Sequence, residues 1–187
     1  MTYVKSFKRF RMEIDLRRWQ YTEPELPEGY FLEPWSPTLL DAHATAHYLS
    51  FRNEIDSELF ANFQTYAGSR RVVDYVVHHH GFLPEATWLA VYHPRGSFHP
   101  LYVGTMQGII DSFGQGAIQN IGVVPGHRHL GLGRILISQC LRGYQHRGVG
   151  IAHLDVTAGN DSAIHLYQTL GFRTTQVFYR EPKRASR

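Results

Sequence analysis

The 187 residues include a single cysteine, Cys140, which excludes an internal disulfide and any cysteine-based zinc site. Cys140 reads as a core residue. No apolar run approaches the roughly 20 residues that a membrane-spanning helix needs. The first ten residues are basic but lack the apolar stretch and small-residue cleavage site of a signal peptide, so a cytoplasmic protein without membrane contact is expected. Charge of one sign is scarce too: 19 Lys and Arg face 16 Asp and Glu, a balance of +3 with neutral histidines. The positive residues are scattered apart from Lys8 to Arg18 and Arg180 to Arg187, so nucleic-acid binding is not indicated. Internal repeats and low-complexity segments are absent, and 43% hydrophobic content suits one folded domain over residues 1–187.

Histidine, by contrast, is abundant. His43 and His47 stand four apart, His78 to His80 form a run, and His127 and His129 flank Arg128. No HExxH pattern or Cys/His spacing accompanies them, so no metal site is expected. A histidine-based metalloprotein stays as an alternative that metal analysis of untagged protein would test.

Phe10, Met12, Ile14 and Leu16 alternate with charged residues, a period of two that predicts a half-buried strand within an N-terminal extension, residues 1–29. That strand could extend the sheet or exchange with a second subunit, and a homodimer is one possibility. A further strand is read at Tyr30 to Trp35. Ser36 followed by Pro37 looks like a helix start, with Leu39, Ala42, His43 and Ala46 at helical spacing, and a second helix is read over Ser69 to His80. Three β-rich runs follow, Ala86–Tyr92, Leu101–Ile110 and Ala117–Val124, as an antiparallel meander. Beyond Pro125 the period becomes helical through Leu132, Ile135, Leu136, Cys140 and Tyr144. Ile151–Thr157 reads as a strand. A short helix capped by Asn160 or Asp161 and stopped at Gly171 comes next, and a strand over Phe172–Tyr179 closes the pattern.

The chemically informative segment runs from Ile121 to Arg134, out of a strand, through a glycine-bearing loop and into a helix. Such a helix start gathers free backbone N–H groups and the positive end of the helix dipole, which suits a phosphate or pyrophosphate. Gly131 and Gly133 allow close backbone approach, and Arg128 and Arg134 can add charge-assisted contacts. A P-loop would need Lys-Ser or Lys-Thr after its last glycine, where Arg134-Ile135 stands. A Rossmann fingerprint would need a third glycine three residues on, and none is there.

Arg128-x-x-Gly131-x-Gly133 resembles the pyrophosphate-binding signature of the GNAT acyltransferases. Gly122-Val123-Val124-Pro125 before it fits too. So does Leu154-Asp155-Val156, Asn160, Ala163, Leu166-Tyr167 and Leu170-Gly171-Phe172 after it, which is similar to the family's second motif. The likeness is dense over residues 117–172. It implies an α/β (α+β) domain with a mostly antiparallel, twisted mixed sheet of about six to seven strands flanked by helices. It implies acetyl-CoA, or another acyl-CoA, as co-substrate and an N-acetyltransferase acting on a primary amine of a small molecule or peptide. The alternative from another class is a non-catalytic acyl-CoA-binding sensor or partner module.

The resemblance assigns cofactor contacts to Ile121, Gly122 and Val123 in the strand. It assigns them equally to Arg128, His129, Leu130, Gly131, Leu132, Gly133 and Arg134 in the loop and helix start, and to Asn160 and Tyr167 beyond. Tyr167 stands where the family commonly has the acid that protonates the departing thiolate. Some relatives carry a glutamate near the start of the strand before the loop, but Gly114 to Asn120 contains no carboxylate. A base is therefore sought among Asp155, His153, Glu54, Asp56 or a water chain. Glu54 and Asp56, near Phe51, Phe60, Phe63 and Tyr66, are read as a site for a cationic amine beside an apolar body.

Overall fold

The alternating N-terminal segment forms strand β1 (Phe7–Asp15) in the computed structural model, which describes residues 5–182. The other strands are β2 (Tyr30–Pro34), β3 (Trp88–Tyr92), β4 (Leu101–Ile110), β5 (Gly116–Val123), β6 (Ile151–Thr157) and β7 (Arg173–Arg180). The helices are α1 (Leu40–Phe51), α2 (Ile55–Leu59), α3 (Tyr66–Val77), α4 (Leu132–His146) and α5 (Asp161–Leu170). Together they make one seven-stranded mixed sheet flanked by helices, in the order β2-β3-β4-β5-β6-β1-β7. The short α2 is absent from the sequence reading, because one helical turn leaves no periodicity to detect.

Every neighbouring pair is antiparallel except β5 and β6. A parallel pair needs a long crossover, and α4 supplies it. The two sides of the sheet are told apart on β3. Leu89 and Val91 pack with Ala42 and Ala46 of α1, whereas Ala90 between them joins the larger core of α4. Leu132, Ile135, Leu136, Cys140 and Tyr144 are all buried on α4, the stripe that the helical spacing predicted. Gly143 lets α4 lie against the turn at Pro84–Ala86, since a Cβ there would sit 2.2 Å from the Glu85 carbonyl oxygen.

Of the two places left open for the N-terminal strand, the sheet of its own chain is the one it takes. β1 lies inside the sheet, paired with β6 on one side and β7 on the other. Met12, Ile14 and Leu16 enter the main core. The opposite face is not bathed in bulk water as a half-buried strand would have it: Phe7 and Arg9 are buried, and Arg9 and Arg11 border a cavity.

β5 and β6 pair only at Gly116 with Ala152 and Ala117 with His153. From Ile118 onward they diverge. A register shift on β5 opposite Thr105–Gln107, with Asn120 in the left-handed region at φ 52°, marks a bulge where the strands part. The sheet thus carries a wedge-shaped gap that opens toward the loop before α4.

Candidate active site

Two cavities meet in this gap. One, of about 310 Å³, is lined by the end of β5, the loop before α4, and α5. The other, of about 670 Å³, lies toward α2 and α3 and the β1 side of the gap. Phe51, Asp56, Ile121, Asn160, Ala163 and Tyr167 border both, so a ligand in one can reach a ligand in the other between the strands.

The loop after β5 ends in His129 at φ 64° and Gly131 at φ 82°, both left-handed, and α4 begins at Leu132. Among the described residues, the backbone N–H groups of His129, Leu130, Gly131, Leu132, Gly133 and Arg134 have no intramolecular acceptor, and the first N–H bonded within α4 is that of Ile135. A Cβ placed on Gly131 would meet nothing within 4 Å, because the residue faces open space. On Gly133 it would come within 3.1 Å of Leu166. Six successive N–H groups without partners, in the loop and first turn of a helix, are suited to an anion such as a pyrophosphate.

The guanidiniums have other engagements. Arg128 donates from Nε to the Val123 carbonyl at 2.9 Å and from Nη2 to the Ser50 carbonyl at 3.2 Å, and it pairs with Glu54 at 2.8 Å. It ties the end of β5 to the end of α1. Arg134 donates to Thr169 Oγ1 at 2.7 Å. The cradle is therefore made by backbone, and the arginine contacts to phosphate oxygens expected from the sequence compete with these partners.

The Val124 N–H donates to Val103 on β4, so in extended backbone the Val123 N–H turns to the other side, toward the gap. By the same alternation Ile121 faces the gap. Gly122 sits between them on the α1 side, where a Cβ would be 2.7 Å from the Phe51 ring. Asn160 caps α5, its side-chain oxygen accepting from the Ala163 N–H at 3.3 Å, and it also borders both cavities. The cap and the cavity wall are one residue. Seven residues on, Tyr167 is 5% exposed and points into the passage. Burial raises its phenol pKa above the ordinary value, with Asp56 adding to the shift and Arg9 opposing it.

The acids and the histidine considered as bases are all partnered. Glu54 borders the smaller cavity and pairs with Arg128. Asp56 accepts from Arg9 at 3.2 Å and from the Thr157 hydroxyl at 2.6 Å. Asp155 is held by Arg11 through Nε at 2.9 Å and Nη2 at 3.3 Å. His153 lies in the larger cavity with Nε2 3.0 Å from Asp111. Burial pushes the Asp111 carboxyl up, but hydrogen bonds from His153, Gln115 and Phe113 outweigh it and hold the group below its usual range.

Behind the bulge lies a polar chain that sequence reasoning missed. Asn120 donates to Gln107 at 3.1 Å, Gln107 donates to Thr105 at 2.6 Å, and His43 contacts Thr105 at 2.8 Å. His43 and His47 are fully buried on α1, and burial lowers their pKa values to about 3 and about 4. Among the described residues, no group of three or more His, Cys, Asp or Glu could hold a metal ion, and no helix is long and apolar enough to cross a membrane.

The geometry agrees with the comparisons. The model of the acetyltransferase (GNAT) family matches residues 12–172, and the chain belongs to that family. Streptothricin acetyltransferase of Streptomyces lavendulae is 44% identical over 55 residues, 29% of each chain. The ribosomal protein bS18-alanine N-acetyltransferase of Escherichia coli is 40% identical over 58 residues, 31% of this chain and 39% of that one. The chain thus matches well under half the length of these curated relatives. Among solved structures, a GCN5-related N-acetyltransferase from Sphaerobacter thermophilus superposes with a TM-score of 0.67 at 23% identity, covering 97% of this chain and 54% of that one. That likeness shows the fold.

Proposed function

We propose that the protein transfers an acetyl or longer acyl group from acyl-CoA to a primary amine. The observation that carries this reading is the junction of the amide cradle's cavity with a second cavity at Ile121, Asn160 and Tyr167. The backbone N–H groups from His129 to Arg134 hold the pyrophosphate, and the edge of Ile121, Gly122 and Val123 pairs with the pantetheine arm. When bound, the co-substrate supplies an activated thioester carbonyl.

In the transfer the neutral amine nitrogen bonds to the carbonyl carbon, the carbon–sulfur bond breaks, the nitrogen loses a proton and the sulfur gains one. The N–H groups of Ile121 and Val123 facing the gap are the donors for the developing oxyanion. Tyr167 gives its phenolic proton to the departing thiolate, a role that its raised pKa keeps available at neutral pH. His153 receives the amine proton through water. Its Nε2–H donates to Asp111, which leaves Nδ1 as the accepting nitrogen. Among the candidate bases it is the one not tied to a guanidinium.

That pairing of Glu54, Asp56 and Asp155 also favours a second reading, a non-catalytic acyl-CoA-binding module. Free-thiol release from acetyl-CoA over a panel of primary amines separates the two. Amine-dependent release that Tyr167→Phe slows supports transfer. Binding of acetyl-CoA with no release for any amine supports the module.

A further inference from the structure

That the acceptor presents an amine rests on the acyl-transfer reading, whereas the chemistry of its other end is set by the charges of the acceptor cavity alone. Glu54 and Asp56, read from the sequence as a site for a cationic amine, are not available for one: Arg128 holds the first on the cofactor side, and Arg9 and Thr157 hold the second. The larger cavity is bordered by four arginines, Arg9, Arg11, Arg71 and Arg180, against two aspartates, Asp56 and Asp155. Arg9 and Arg11 match the two aspartates one to one. Arg71 and Arg180 make no ion pair among the described residues, so the wall carries an excess of two positive charges.

Arg180 is also held in position. Its guanidinium carbon lies 4.9 Å from the Phe60 ring centroid, and that of Arg9 lies 5.3 Å from the same ring. A guanidinium on an aromatic face keeps the N–H fork in its own plane free for the paired oxygens of a carboxylate or phosphate. Phe60 stacks in turn on Phe63 at 5.0 Å, which gives the site an apolar floor. A volume of about 670 Å³ accommodates a molecule that spans from this fork to Tyr167.

We infer that the acceptor is an amine that also carries an anionic group, a carboxylate or a phosphate, held by Arg71 and Arg180 while its amino group reaches the gap at Tyr167. The site selects against simple cationic amines, because a second positive charge would face Arg71 and Arg180 without a free carboxylate to receive it.

The test uses matched amines, each prepared as the carboxylate, the phosphate and the neutral ester or alcohol. They are titrated into the CoA-saturated protein and assayed separately for transfer from acetyl-CoA. At least one anionic form is expected to bind about tenfold or more tightly than its neutral counterpart, and the larger advantage distinguishes carboxylate from phosphate. Arg71→Gln and Arg180→Gln should each erode that advantage, with circular dichroism confirming the fold, and Arg180→Lys should restore part of it. Selective binding without transfer would uphold the anionic site and sink the acyl-transfer reading. Neutral forms binding as well as anionic ones, no form binding at all, or variants that weaken both forms equally would overturn the inference.

Discussion

Tyr167 stands in a passage where burial keeps its phenol protonated, so it can donate at any pH at which the protein works. The rate should rise with pH as the amine loses its proton, with no fall from tyrosine ionisation up to about pH 10, the ordinary phenol value. Replacing the hydroxyl in Tyr167→Phe should lower kcat about a hundredfold while leaving acetyl-CoA affinity within a factor of about two. An unchanged kcat would remove the acid role. The buried histidines make a separate prediction. His43 and His47 have folded pKa values of about 3 and about 4, below the 6.5 of an unfolded histidine. Between those values the unfolded chain binds the extra proton, so stability falls as pH drops from 6.5 through about 4, by about 1.4 kcal/mol per pH unit for each group. Urea unfolding of wild type and His47→Gln over this range should show a shallower pH slope in the variant. At this scale motif spacing singled out the loop residues before α4, Asn160 and Tyr167, and the fold brings them to the wall of one cavity. It could not say that Arg128 turns to Val123, Ser50 and Glu54, since those partners meet only in three dimensions.

The helices and strands were legible where their periods were long. The α4 stripe stands where its spacing placed it, and of the two cap residues offered, Asn160 or Asp161, it is Asn160, with Gly171 at φ 102° as the stop, because caps and apolar spacing are local properties. The bulge at Asn120 and the divergence of β5 from β6 were not legible from the residues, because both depend on which strands pair. Helix α4 offers a test at this scale. Its contact with the turn at Pro84–Ala86 has no room for a methyl group at Gly143, so Gly143→Ala should cost about 1–3 kcal/mol in urea unfolding despite the better helix propensity of alanine. Gly148→Ala just past the same helix, at φ 73° but in open space, should reveal only the conformational strain and cost less.

At the scale of the whole molecule β1 joins β6 to β7 and carries the buried Arg9 across to Asp56 in α2. Period two announced the strand, yet its place between β6 and β7 pairs residues from 136 to 173 positions apart, which no local pattern encodes. Arg9→Met should cost about 3 kcal/mol, because it leaves the half-buried Asp56 with the Thr157 hydroxyl but no guanidinium, and the loss would be read as a lower urea midpoint at unchanged slope. The passage belongs to this scale too, since it exists only because β5 and β6 part company between two cavities. Everything proposed for the chemistry presupposes that the smaller cavity holds acyl-CoA by the N–H groups of the loop before α4. Isothermal titration with acetyl-CoA tests this directly, with Gly131→Glu as the control whose carboxylate would fill the open space over the cradle. Micromolar binding by the wild type, lost in the variant while its fold is kept, is the expected result. No binding by the wild type, or equal binding by both, would contradict it.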